Sequence, residues 1–520
     1  MNNLSKKRVT FVLIGVMLSV LLSSLDSTIV GTSMPKIINE LHGMDQYTWP
    51  FTAYMLCSTI TIPIFGKLAD IYGRKPIWFI GISIFLIATA LCGLSKTMMQ
   101  LIIFRGLQGF GGGILMSNSF AIVGAMFSPA ERGKYMGLVT GVFGLSSVIG
   151  PAVGGYITDN LNWRWVFYVN LPVGILAMVV MFFALPNVID KSVKKVVDYL
   201  GALMLILGLV PMLLAFTWAG KDYSWGSVQI IGMLAFSVVM FIVFGFVESK
   251  AVEPIIPPSL FKNSTFNIST FAAFLTNGAM FGTITFIPLF VQGVIGASAT
   301  NSGMVTTPMT LALVIASIIS GQLISRTGKY KVLGLIGFLI AAVGMFFMAL
   351  MGTSTTNLQI VINMIILGAG LGVTMPIFNI TVQNAFPSNK LGTVTSAVQF
   401  FRNIGGTISS AVLGTVMSNA MNDGFTKMDY SNVPTQMKVI FKDAQAFTNA
   451  DAIKAVRDHL PQQARVFFDS MMIQVKEVIA NSIHEVFVIS IFILVAAIVI
   501  TLFLKETPLK GYSQDKEEAA

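Results

Sequence analysis

Apolar residues in this chain come in long blocks separated by short polar connections, rather than in the alternating pattern of a water-soluble fold. Fourteen such blocks run almost end to end, at 11–34, 48–71, 76–95, 97–127, 135–158, 164–185, 199–219, 228–247, 267–292, 302–325, 332–351, 358–384, 392–419 and 484–504. A helix needs about 20 predominantly apolar residues to cross a bilayer. Irregular backbone facing lipid would leave its N–H and C=O groups without partners, so each block predicts a spanning helix. The pattern changes once, in the connection 420–483. There apolar and charged residues alternate at helical spacing over 451–460 and 463–480, broken at Pro461. This predicts two amphipathic helices capping the mouth of the molecule on that side.

Composition agrees with lipid as the main solvent. Of 520 residues 54% are hydrophobic and 11% charged, and the mean hydropathy is +0.78. The net charge of +10 is a topology signal. An even number of spans puts both tails on one side, and the loops and tails of that side hold 20 of the 33 Lys and Arg. The short loops opposite hold four, Lys36, Lys96, Arg164 and Lys221. Basic residues stay on the cytoplasmic side, so both termini are expected there, in the cytoplasmic membrane. No basic stripe with interleaved aromatics appears outside those loops, which excludes a nucleic-acid partner. The first apolar run is too long for a signal peptide, lacks a small-residue cleavage site and contains Asp26. Cys57 and Cys92 lie inside spans and read as small core residues, with no metal or disulfide framework.

The chain divides into spans 1–6, an inserted pair, and spans 9–14, giving expected units of 1–190, 191–265 and 266–520, the last carrying the outer loop 420–483. The segments 188–197 and 248–261 read as linkers. GKLADIYGRK (66–75) follows the second span and GQLISRTGKY (321–330) the tenth, a weak internal repeat. Duplicated halves with a site near midplane between them are the signature of secondary transporters.

A charge inside a bilayer is costly and marks function by default. Of the 23 acids, Asp26 alone sits deep in a span, and two basic residues do, Arg105 and Arg402. Asp26 is nine residues before Pro35, and Arg105 eight after Thr97, so at 1.5 Å per residue both lie roughly 12–14 Å below the same surface. Equal depth permits an ion pair. Desolvation favours the protonated carboxyl and a neighbouring arginine the ionised one, which makes a switch. Arg402, in QFFRNIGGT, either attracts anionic groups or satisfies helix carbonyls; the structural role is the simpler. Gln108, Asn170, Asn277, Gln399 and Arg402 are the cavity-lining candidates. RGLQGFGGG (105–113) and GVFGLSSVIGPAVGG (141–155) concentrate small residues where helix backbones approach closely, and Pro151 removes a backbone hydrogen bond.

In these stretches the chain resembles the major facilitator superfamily, and within it the fourteen-span drug:proton antiporters. GKLADIYGRK is similar to the superfamily's loop motif at Gly66, Asp70, Gly73, Arg74 and Lys75. RGLQGFGGG resembles the fourth-span motif, whose arginine is implicated in proton transfer, a role that falls on Arg105. Gly150, Pro151, Gly154 and Gly155 resemble the antiporter motif of the fifth span. LDSTIVGTSMP (25–35) and WRWVFYVNLPVG (163–174) look like stretches of the fourteen-span branch. Gly31 stands where that branch often has Asn, and no acid occupies a later span, which argues against multi-proton coupling.

The resemblance implies an all-α integral membrane protein of the major facilitator fold, two six-helix bundles plus two inserted helices. It implies a loop motif that stabilises the outward-facing state. The expected function is efflux of amphipathic or cationic compounds, exchanged for protons by a monomer, with the proton gradient as energy source and no cofactor. No GxxxxGK[ST] loop is present for ATP, and no nucleophile or metal constellation marks an enzyme. An exporter of one physiological solute would share these features. A membrane sensor would need an output domain that the sequence lacks.

Overall fold

Apolar blocks of this length fold as helices because only helices satisfy every backbone group internally, and the computed structural model of the chain is built of helices. It describes residues 5–42, 46–187, 196–220, 222–296, 299–428, 457 and 462–509. The helices are α1 (Lys6–Leu41), α2 (Trp49–Tyr72), α3 (Arg74–Leu94), α4 (Met98–Met126), α5 (Pro129–Asn160), α6 (Trp165–Tyr168), α7 (Asn170–Ala184), α8 (Tyr199–Trp218) and α9 (Val228–Lys250). They continue as α10 (Ser264–Gly293), α11 (Ala299–Thr327), α12 (Tyr330–Ala349), α13 (Asn357–Thr374), α14 (Ile377–Ala385), α15 (Leu391–Lys427) and α16 (Gln462–Leu502). Among the described residues twelve helical segments are long and apolar enough to cross a membrane. Helices α5 and α15 stand where the fifth and thirteenth spans were expected and pack among the twelve.

Helices α1–α7 pack together, as do α10–α16, and α8 and α9 pack on each other. The two groups meet through α2 against α15 and α5 against α11. The α8–α9 pair stands at the periphery; in α9 only Ile230, Ser237 and Glu248 are buried. Both described ends of the chain lie at one end of the molecule. Arg8 donates to the Ala184 carbonyl at 2.8 Å, and the Asn384 amide donates to the Pro508 carbonyl at 3.2 Å. The loop motif lies there too, since Lys75 Nζ donates to the Phe182 carbonyl close by; this is called the motif end below.

Several expected elements differ in detail. Helix α1 runs on through Pro35 to Leu41. The sixth span is broken at Val169, before the proline-bearing first turn of α7, where a missing N–H costs nothing. The twelfth is broken at Met375–Pro376, since proline cannot continue the hydrogen-bond ladder. The stretch 463–480 is not a separate amphipathic helix: it is the first half of α16 and continues without interruption into the last span. Its apolar face, including Phe468, Met471, Val475 and Ile479, is buried against the bundle, so one helix serves as both. The linker beginning at Glu248 starts later, because α9 extends to Lys250. The 188–195 part of the first linker, the amphipathic stretch 451–460 apart from Arg457, and residues 429–456 and 458–461 of the outer loop 420–483 lie outside the described residues.

Candidate functional site

Glycine at 106, 109, 112 and 113 gives α4 a face without side chains, and α2 lies directly on it. A Cβ at Gly109 or Gly113 would run into the backbone of Tyr54 or Ser58. This close seat presses the Tyr54 ring onto the Arg105 guanidinium, 4.4 Å from the ring centroid. On the other side Arg105 Nη1 meets Asp26 Oδ2 of α1 at 2.5 Å. Gln108, one turn along α4, bonds both partners. Its Nε2 donates to Asp26 Oδ1 at 2.8 Å, and its Oε1 accepts from Arg105 Nη1 at 2.6 Å. Thr89 of α3 accepts a further bond from Gln108 Nε2 at 2.8 Å, and Asn170 at the start of α7 donates to Asp26 Oδ1 at 3.3 Å. Asp26 is 0% and Arg105 1% exposed.

The expected pair therefore forms, but inside the first bundle rather than on a cavity wall. Gln108 and Asn170, proposed as cavity-lining, are its hydrogen-bond partners. The other three candidates are also buried. Asn277 donates to the Arg402 carbonyl at 2.9 Å, Arg402 Nη2 donates to the Met375 carbonyl at the α13–α14 break at 3.2 Å, and Gln399 Nε2 has no partner among the described residues. The Arg402 contact is the carbonyl-satisfying role read from the sequence.

The motif end is closed by two junctions of similar design. In the first, Asp70 at the end of α2 receives the Gly392 and Thr393 amides of α15 at 3.0 and 2.7 Å and the Thr393 hydroxyl at 3.0 Å. A carboxylate at a helix start satisfies free N–H groups and meets the positive end of the helix dipole. Arg74 lies 3.6 Å from the same carboxylate. Gly66 and Gly392 let α2 and α15 touch, since a Cβ on either would meet the opposite helix. Gly73 turns the chain with φ +93°. In the second junction the repeat 321–330 of α11 plays the same part against α5. Gly321 sits on the Gly133 carbonyl, Ser325 accepts the Lys134 amide at 3.0 Å, and Gly328 turns the chain with φ +68°. Ser325 thus stands in the place of Asp70. Of the fifth-span glycines, Gly150 and Gly154 seat α5 on Thr28 and Thr32 of α1, Gly155 has open space, and the Pro151 side chain lies outside the described residues.

Toward the opposite end α2 and α15 part. A cavity of about 640 Å³ opens between them, walled by α8 and α10. Phe51, Met55, Phe216 and Phe281 supply apolar surface, Thr52, Thr407 and Ser410 hydroxyls, and Asp222 a carboxylate. A volume of this order suits a small organic ligand. These residues carried no distinct sequence signal, because small and aromatic residues are common everywhere in the spans. The aromatic run around Trp218, Tyr223 and Trp225 was the one visible hint. Trp218 packs edge-on to Trp49 of α2, and Trp225 Nε1 donates to Thr415 of α15 at 2.7 Å. The α8–α9 pair is thereby tied to both α2 and α15. At the motif end it is tied again by Lys67–Glu253 at 2.7 Å. Glu248, 2% exposed and accepting the Ile255 and Ile256 amides, is an acid that the span assignment missed by ending the helix too early.

Comparison with known proteins adds the following. The family model described as Major Facilitator Superfamily matches residues 16–410. The chain is 41% identical over 532 residues to the multidrug transporter protein MdtP of Bacillus subtilis (strain 168), covering 98% of this chain and 96% of that one. It is 35% identical over 513 residues to multidrug resistance protein 3 of the same organism, covering 98% of each. It is 30% identical over 455 residues to the efflux pump FUS6 of Gibberella fujikuroi, covering 86% and 81%. Among solved structures, the proton:xylose symporter XylE superposes with a TM-score of 0.62 at 12% identity, covering 98% of each chain. The human organic anion transporter MFSD10 superposes with a TM-score of 0.61 at 14% identity, covering 93% and 99%. At such identities these two speak for the fold alone.

Proposed function

The chain belongs to the Major Facilitator Superfamily, and from that premise we propose that it is a proton-coupled antiporter that exports amphipathic or cationic compounds by alternating access. It is a multi-pass membrane protein and a transporter rather than an enzyme. The names of its relatives support export of diverse compounds. In this reading the chain crosses the cytoplasmic membrane fourteen times, with both termini inside, and works as a monomer of two six-helix bundles (1–190 and 266–520) joined by the inserted pair. Substrate occupies the cavity between α2 and α15 while Asp70, Arg74 and the glycines of both junctions hold the motif end shut. Release of those contacts opens that end.

The observation that carries the coupling is the enclosed Asp26–Arg105–Gln108 cluster. An ion pair buried this completely is a poor stabiliser compared with apolar packing, so its presence argues for use. Protonation of Asp26 would cancel its charge and free Arg105, which packs on Tyr54 of α2, the helix whose Phe51, Thr52, Met55 and Leu56 line the cavity on either side of that tyrosine. Proton entry is thereby linked to the position of α2. No bond is made or broken except that of the proton to the carboxylate.

The test is reconstituted vesicles with an imposed pH gradient, comparing the wild type with Asp26→Asn at matched protein density. Uphill transport is expected to disappear in the variant, while passive binding of substrate persists. Undiminished gradient-driven transport in Asp26→Asn would show that the proton travels elsewhere.

A further inference from the structure

Arg402 is a buried cation that no anion among the described residues accompanies. It is 7% exposed, and among the described residues no carboxylate lies within ion-pair distance. Among the described residues its one side-chain bond is to the Met375 carbonyl, and Nε has no partner there. Arg105 and Arg74, by contrast, each face an aspartate. A desolvated guanidinium is costly unless an anion neutralises it.

The surroundings of Arg402 contain further polar groups without partners, and the helix register puts them together. Gln383 of α14 donates to the Phe120 carbonyl of α4 at 3.3 Å and to Thr395 of α15 at 3.0 Å, which pins three helices at one level. One turn deeper on α14 is Asn379, and one turn deeper on α15 is Gln399. The next turn brings Met375 and Arg402 into contact. Residues three or four apart share a helix face, so Asn379, Gln399 and Arg402 form one stripe between the two helices. Asn379 is 1% and Gln399 4% exposed, and Asn379 Nδ2 and Oδ1 and Gln399 Nε2 have no partner among the described residues. Asn118 of α4, two residues before Phe120, has an unpaired Oδ1 and is fully buried. Buried polar atoms are nearly always paired, so such a group asks for a ligand.

We infer that Arg402, with Gln399 and Asn379, binds the carboxylate of an amphipathic substrate. A planar carboxylate matches the guanidinium fork, and two amide N–H donors lie beside it. The apolar tail has Val398, four residues before Arg402 on the same helix face, and Met375, whose carbonyl Arg402 meets, to rest on, both buried. The stripe lies where helices of both bundles meet, the place that alternating access must open. This deepens the export reading above and rests on it: acidic amphipaths are added to the compounds carried.

The test uses protein in nanodiscs and a fluorescent pair, 11-(dansylamino)undecanoic acid and its methyl ester. The wild type is expected to prefer the acid. Arg402→Gln should weaken acid binding at least about tenfold, as befits loss of a charged hydrogen-bonding partner, and leave the ester unchanged. Arg402→Lys should keep part of the preference. Gln399→Glu leaves Arg402 in place and supplies it with an anion from one turn away; acid binding should be lost while ester binding and thermal stability are retained. An acid-to-ester ratio unaltered by Arg402→Gln and Gln399→Glu overturns the assignment. So does protection of the wild type by chloride but not by the acid, which would make this a small-ion site. Binding is measured without a pH gradient. Failure of gradient-driven transport in the wild type would therefore count against proton coupling and not against this site.

Discussion

Asp26 is held by three side chains, and they do not hold it equally. Arg105 supplies the charge. Gln108 bonds to both members of the pair, at 2.8 and 2.6 Å, whereas Asn170 offers one longer bond of 3.3 Å. If the cluster is the coupling device, Gln108→Leu should lower the initial rate of gradient-driven transport by about tenfold and Asn170→Leu by about two- to threefold, in line with a bond to charged groups against a weaker one. Initial rates in vesicles at matched protein density check the order; a larger loss for Asn170→Leu would mean that the α7 contact, not the α4 one, positions the carboxylate. The pair itself was legible in the sequence, because an ionisable residue in an apolar block announces itself and depth can be counted from the ends of a helix. Its amide partners were visible only as polar residues in spans. A neutral amide carries no sign of whom it faces, so Gln108 and Asn170 were read as cavity wall when they serve the carboxylate.

Helix α2 meets α15 only because both lack side chains at the crossing, and Asp70 then caps a helix that begins 321 residues later, at Leu391. A charged cap of this kind contributes roughly 1–2 kcal/mol, which is enough to bias two states of similar energy by about tenfold. Asp70→Asn keeps the shape and removes the charge. It should raise the rate at which a cysteine at Ser396, buried under Gly66 in the closed junction, reacts with a maleimide by about tenfold, without loss of membrane abundance. An unchanged labelling rate would reduce the motif to a turn and a topological anchor. Element positions were largely readable, since apolar block length is a direct image of a spanning helix. What could not be read was pairing between distant helices. The second junction, with Ser325 in the place of Asp70, follows from the repeat at 321–330 only once the partner helix α5 is known. Glu248 escaped because a helix end inside a polar stretch has no sharp signal, and 463–480 was separated from the last span because an amphipathic start looks different from an apolar continuation even when the backbone is one helix.

At the scale of the whole molecule, loop charge sets which way it faces. Both described ends of the chain lie at the motif end, together with Arg74, Lys75, Lys134 and Arg326. The turn between α8 and α9 lies at the other, beside Trp49 and Thr415. The excess of basic residues in the loops of the motif end predicts that it is cytoplasmic, because translocating such loops is resisted. The cavity between α2 and α15 then faces outward, which in the proposed proton-coupled cycle is the state after release and before the next proton enters. Single cysteines on exposed residues decide the matter, in a background with Cys57 and Cys92 replaced by alanine. Ser388→Cys, in the turn before α15, should be protected from an impermeant maleimide in intact cells and react once the membrane is permeabilised. Ser224→Cys, in the α8–α9 turn, should react in intact cells at once. The reverse pattern would turn the molecule over, place the closed junctions on the outer face, and leave an inward-open cavity loaded from the cytoplasm. Labelling of both in intact cells would break the assumption that α8 crosses the membrane at all, and with it the fourteen-span count.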